Sequence, residues 1–448
     1  MKKILLALLI MSILNISCKK YLDVKPDKKL VIPSSIQDAQ ALLDNYTIFN
    51  GYYPATGDIS DDNYFVDDDR NNTFRIDTRN LYVWSKDAIN EQDWTNLYQV
   101  VLNATIALET VNKIPKNESN TLSWNAAKGA ALFYRGYALF HVAQYFGEIY
   151  DSATASGKPG IPLRTSSDAT VPSTRGTLEE SWQHIVTNFK EATDLLPVST
   201  TVPSRPTKAA AWAMLAKTYL YLNQYSKSAD AASSCLQLHG SLMDFNSLDS
   251  TAPDPFSRFN SEVIFPSTVY NAEPIDPSIY SLDSTLYNNY DLSDLRVNMY
   301  FTFNGYGEGF KGSYDGDPTN GSFNGMATDE VLLMRAECYA RMGNTTEAMK
   351  DLNTLLVTRW VSGTFVPFTA GNAGDALKII LNERRKELIV RGTRWFDLRR
   401  LSREPNLSAI PKRIIAGASY SLEPGSSRYT FLIPKKVIDL TGMQQNIR

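Results

Sequence analysis

The feature that most constrains this chain is a helix pair at 329–360, DEVLLMRAECYARMGNTTEAMKDLNTLLVTRW. Val331, Leu332, Met334, Ala336, Cys338 and Tyr339 give the first helix one broad apolar face. Gly343-Asn344 ends it, because glycine takes a left-handed cap without a Cβ penalty. Thr345 or Thr346 can cap a second helix with the face Ala348, Leu352, Leu355 and Leu356. Ala336, Tyr339, Ala348 and Leu352 stand at offsets 0, 3, 12 and 16, the spacing of tetratricopeptide repeats. Small residues let the helices approach, and large ones fill between them. One such hairpin cannot bury its own face, so further copies are expected. The stretch 208–238 supplies one, with Ala216, Tyr219, Tyr225, Ser228 and Ala232. A helix of the same character runs over 126–146. The copies are not in tandem, since Ala216 and Ala336 are 120 residues apart. The expected fold is mainly α: about four helix pairs of tetratricopeptide type on one side, long irregular loops on the other, and a few short strands.

The N-terminus reads as a secretory signal. Lys2-Lys3 precedes an apolar run, 4–14, too short to span a bilayer. It ends in Ser17-Cys18, a small residue directly before Cys, as a bacterial lipoprotein peptidase requires. The usual Leu three residues before Cys stands one position earlier, at Leu14. Lipidation at Cys18 is the expectation; an ordinary signal peptide with an incidental Cys is the alternative. Cys235 and Cys338, both on apolar helix faces, read as buried free thiols.

Further amphipathic helices are expected over 35–46, 94–114, 177–196 and 375–390. The 51–84 and 240–325 stretches read as loops, with strand-like runs at 262–266 and 300–303. Another apolar run, 431–434, reads as a short strand near the C-terminus.

Several segments together resemble the SusD/RagB-type nutrient-binding outer-membrane lipoproteins: CKKYLD at 18–23; WTNLY at 94–98 with Asn103; the helix from Arg135 into YFG ending at Gly147; RPTKAA at 205–210 leading into LAKTY; 329–356; LNERRKEL at 381–388 with GTRWFDLR at 392–399; and FLIP at 431–434. The 383–399 signature is the most specific part. The departures are the shifted lipobox and GEIY at 147–150, where the family places Pro after a short acidic step. The resemblance implies residues 1–17 as a lipoprotein signal peptide, 18–33 as a tether, and 34–448 as one domain with an N-terminal part of about 34–240 and a C-terminal part of about 241–448. It also implies outward-facing attachment to the outer membrane through the lipid. Its implied function is capture of a glycan or oligosaccharide for a SusC-like TonB-dependent outer-membrane transporter, with a peptide or other nutrient as the alternative cargo.

Catalytic patterns are missing from the sequence. His141, His184 and His239 are isolated, and there is no zinc or nucleophile-elbow motif. No cofactor and no metal are expected. Gly307 to Gly312 matches G-x-G-x-x-G, but turn residues follow it and not a helix, so it reads as a mobile aromatic loop. Asp315, Asp317 and Asn320 are out of register for a calcium loop. Paired carboxylates of a surface glycosidase need only meet in space, and nothing in the sequence points to them. The mixed charges of 382–400 suit a bridging salt network with Trp395 and Phe396 packed beneath it, better than a polyanion site. A net charge of −3 gives no electrostatic case for nucleic acid.

The positive signal is aromatic. The chain has 24 Tyr, 19 Phe and 7 Trp, many in loop-like sequence where no core needs them. Sugar rings offer apolar C–H faces and a hydroxyl rim, so a binder needs ring platforms beside Asn, Asp, Arg or Gln. Loops 64–79 and 287–314 have that mixture. The expected ligand-binding residues are Tyr64, Tyr287, Tyr290 and Tyr306, with Asn71 and Arg75 as polar partners.

Overall fold

The computed structural model describes residues 33–270, 272–316 and 321–448. Cys18, the signal stretch and the tether before residue 33 lie outside them. The long helices are Glu91–Asn112, Thr121–Phe146, Leu178–Leu195, Lys208–Tyr221, Tyr225–Leu238, Thr328–Arg341, Thr345–Leu356 and Ala373–Glu387. From Thr121–Phe146 to Thr345–Leu356 each packs on the long helix before it, and Ala373–Glu387 closes on the last two. This is the expected tetratricopeptide-type scaffold.

Local chemistry sets the boundaries. Thr177 and Glu180 exchange side-chain to backbone bonds as a capping box for Leu178–Leu195, and Pro197 follows the helix end. Gly343 adopts φ +83° as expected, but Asn344, not Thr345 or Thr346, caps the next helix by accepting from the Glu347 N–H. Thr121–Phe146 is the central element, buried all round over 129–146. Gly136 admits a neighbour there: a Cβ would stand 3.1 Å from Asn188 Cβ. Cys235 and Cys338 are free and buried, and burial pushes each thiol up to about 12.

The loop side is more regular than expected. The 51–84 stretch contains the short helices Thr56–Ser60, Asp68–Thr73 and Ile76–Tyr82. Strands Val263–Phe265 and Phe301–Phe303 form where expected. Among the described residues every sheet is a two-stranded antiparallel ladder. The 307–312 motif is not a mobile loop: Glu308–Phe310 pairs with Phe301–Phe303 as a hairpin. Residues 431–434 form no strand, although the Phe431 N–H donates to the Tyr145 carbonyl at 2.9 Å.

The two sides are joined by buried ions. Arg359 bonds Glu262 and Glu387, and Arg296 bonds Asp294, Glu383 and Glu387, all within 3.2 Å. Arg384 bridges Glu330 and Asp397, and Arg391 pairs with Asp329. The charges of 382–400 are therefore largely internal structure. Trp395 and Phe396 are buried with them.

Candidate functional site

Two loops far apart in sequence meet on one face. The two-residue strand Tyr64–Phe65 pairs with Ser281–Leu282, Tyr64 opposite Leu282 and Phe65 opposite Ser281. Strand alternation sends neighbouring side chains to opposite sides. Tyr64 goes inward, its hydroxyl donating to the Ile59 carbonyl at 3.1 Å and its ring packed on Tyr82 and Tyr280. Phe65 goes outward and is 50% exposed.

Asp67 then caps Asp68–Thr73 by accepting from the Arg70 N–H, which sets Arg70 toward the second loop. The Arg70 guanidinium donates to the Ile279 carbonyl at 2.7 Å and lies 3.4 Å from the centroid of the Tyr306 ring. Such cation–π contact holds one ring face and leaves the other to a ligand. Tyr306 is 63% exposed at the tip of the 301–310 hairpin, next to Gly305 at φ +93°. Asn304 fixes that tip. Its amide donates to the Pro277 and Tyr280 carbonyls, and its oxygen accepts from the Tyr306 and Gly307 N–H groups. Phe303, on the same hairpin, is 70% exposed. Asp68 accepts from the Ala416 N–H, which brings the 412–421 hairpin and its exposed Tyr420 alongside.

The six expected residues divide. Tyr306 is an exposed platform, and Tyr287 is half-buried against Phe301. Arg75 is exposed and paired with Asp77, the two side chains 2.9 Å apart. Tyr64 and Tyr290 are buried and offer no ring to solvent; Tyr290 donates to the Lys386 carbonyl. Asn71 is buried as well. Phe65, Phe303 and Arg70 stand at this face without being among the six. The parity of a two-residue strand decides Phe65 over Tyr64, and no periodicity announces it. Nothing in the sequence around Asp67 and Arg70 names the ring that Arg70 meets.

Beneath this face lies a carboxylate group. Asp62 is clasped by Arg394 and Arg385; burial works to raise its carboxyl, and the two guanidiniums outweigh it and hold it below the usual range. Among the described residues Asp58 has no such partner. Burial pushes it up to about 7, opposed by the Gly392 N–H that donates to it at 3.0 Å. Two larger surface grooves, of about 550 and 580 Å³, are lined by none of these residues. Arg175 and Arg164 in those grooves direct their guanidiniums largely to backbone carbonyls. No His, Cys, Asp and Glu group among the described residues could hold a metal ion, and none of their helices is long and apolar enough to cross a membrane.

Comparison with known proteins bears on the family and the fold. A family model described as starch-binding, associating with the outer membrane, matches residues 20–220, and the SusD family model matches 257–436. The chain is 25% identical to SusD-like protein P38 of Formosa agariphila, over 89% of this chain and 90% of that one. It is 23% identical to SusD-like protein P2 of the same organism, over 77% of each. A SusD superfamily protein from Bacteroides thetaiotaomicron superposes with a TM-score of 0.75 at 21% identity, covering 92% of this chain and 100% of that one. A SusD-like carbohydrate binding protein from Bacteroides vulgatus gives 0.70 at 17% identity, covering 91% and 97%. At such identities the solved structures carry the fold, while the two matches, which together span most of the chain, carry the family: the chain belongs to the SusD family.

Proposed function

We propose that the protein is a cell-surface glycan-binding lipoprotein, and that Tyr306 backed by Arg70, with Phe65 and Phe303, forms its ligand platform. The observation that carries this is a solvent-facing ring held from behind by a fixed cation, at a hairpin tip that Asn304 holds by hydrogen bonds. A platform fixed before the ligand arrives loses little entropy on binding. The family description as starch-binding supports sugar as cargo. Calorimetry against a panel of neutral polysaccharides and peptides tests it. Tyr306→Ala should weaken the best glycan roughly tenfold, the size of one ring contact. Unchanged affinity, or preference for the peptides, would sink the reading. Reducing-sugar release during the same titration would replace binding by glycoside hydrolysis.

Residues 1–17 are proposed as the signal peptide, Cys18 as the lipidated residue, 18–33 as a tether, and 34–448 as one domain with parts of about 34–240 and 241–448. The Ser17-Cys18 junction and the family's association with the outer membrane support attachment there. Labelled palmitate should enter the wild type and not Cys18→Ala; label retained by the variant would count against it. The captured glycan would pass to a SusC-like TonB-dependent transporter. Co-purification of a TonB-dependent barrel with the tagged protein checks that partner.

A further inference from the structure

Tyr52 belongs to none of the segments of the platform, yet it too is an exposed ring, at 56%. Its backbone is left-handed, φ +54°, a region that favours glycine and disfavours an aromatic residue. The chain on either side is pinned. The Gly51 N–H donates to the Tyr46 carbonyl, and the Tyr53 N–H to the Thr268 carbonyl at 3.0 Å. Asn96 holds the strained residue itself, its amide donating to the Tyr52 carbonyl at 3.0 Å. Tyr53, next along, is buried on Tyr137 and His141. A glycine at 52 would make the same turn with less strain, so the turn does not explain the ring.

Beside the ring is a pocket of about 210 Å³, lined by Ile48, Tyr52, Asn96, Gln99 and Val100 among others, with no charged side chain among the described residues that line it. Gln92, Asn96, Gln99 and Asn103 recur at helical spacing along that side of Glu91–Asn112. Gln92 donates to the Asn96 side-chain oxygen at 2.6 Å, which orients that amide. A Gln or Asn amide both donates and accepts, as a sugar hydroxyl does, and an exposed tyrosine ring offers the apolar face. The absence of charge from the lining disfavours acidic ligands. The pocket is smaller than the roughly 300–1,000 Å³ that encloses a drug-sized ligand, so it suits one ring of a longer chain.

We propose that Tyr52, Asn96 and Gln99 form a second contact site for a neutral glycan, separate in residues from the Tyr306 platform. The ligand class rests on the glycan reading above; the site does not. The test titrates the full-length protein with maltoheptaose, cellohexaose, laminarihexaose, mannohexaose and an uncharged Ser/Asn-rich hexapeptide. In a Tyr306→Ala background at least one oligosaccharide should still bind. Adding Tyr52→Ala should weaken it a further five- to tenfold, and Tyr52→Phe should restore it. Tyr52→Gly, which relieves the backbone, should raise the melting temperature by roughly 1–3 °C while weakening binding in the same way. If Tyr306→Ala weakens binding and Tyr52→Ala changes nothing, the second site is overturned and the platform stands. The converse result supports the second site and overturns the platform. Tyr52-dependent binding of the hexapeptide alone overturns the ligand class, and binding of no probe overturns both sites. A lower melting temperature in Tyr52→Gly would overturn the argument from strain.

Discussion

At the scale of a residue, burial decides what a carboxylate can do. Asp58 is buried with one N–H donor and, among the described residues, no cation within salt-bridge reach, while Asp62, four positions on, has two guanidiniums. The Asp58 carboxyl is raised from 3.8 to about 7 by burial. Its contribution to stability is therefore fully present below about pH 4 and is lost as pH rises through 7. Asp58→Asn keeps the acceptor for Gly392 and removes the charge. It should stabilise the protein by roughly 1–4 kcal/mol at pH 8, and the gain should vanish toward pH 4. Urea unfolding at the two pH values checks this; an equal effect at both would show that Asp58 does not titrate in the fold.

At the scale of the element, the hairpin that carries Tyr306 is fixed by one side chain. Asn304 makes four hydrogen bonds across the turn and to the 277–280 segment. Asn304→Ala should leave thermal stability within about 1 kcal/mol, because the tip is largely exposed. It should still cost several-fold in glycan affinity, since a mobile ring must be ordered on binding. Full affinity in that variant would mean the platform needs no support. The same elements show what the sequence could disclose. Helices with a sustained apolar period, such as Thr328–Arg341 and Ala373–Glu387, were legible to within a few residues, because their burial repeats. The short helices at 56–82 carry too few turns to show a period. Loops 64–79 and 287–314 were legible as carriers of rings and polar partners. The residues that line the face depend on strand parity at Tyr64 and Phe65 and on one contact, Arg70 on Tyr306, that couples positions 236 apart.

At the scale of the whole molecule, the buried ions decide how firmly the loop side is held. Arg359 joins Glu262 of the insertion to Glu387 of Ala373–Glu387, with all three side chains out of solvent. Removing one partner leaves buried charge uncompensated, so Arg359→Met should destabilise by about 3–5 kcal/mol. Replacing Arg359, Glu262 and Glu387 together by apolar residues should recover much of that loss. Denaturant curves of the single and triple variants check both. A neutral Arg359→Met would mean that the network does not hold the insertion.

The contacts between the 58–85 segment and residues 392–448 also bear on the order in which the protein can fold. Asp62 waits for Arg394, the Asp58 carboxyl for the Gly392 N–H, the Tyr64 carbonyl for Arg413 and the Ser85 carbonyl for Arg448. A ribosome must add more than 300 residues after the 58–85 segment before that segment meets its partners. Contacts so distant in sequence form slowly. An export machinery that threads unfolded chains would therefore receive one that is late to close, and a chain stopped near residue 380 should stay sensitive to protease over 56–85 while the full chain resists.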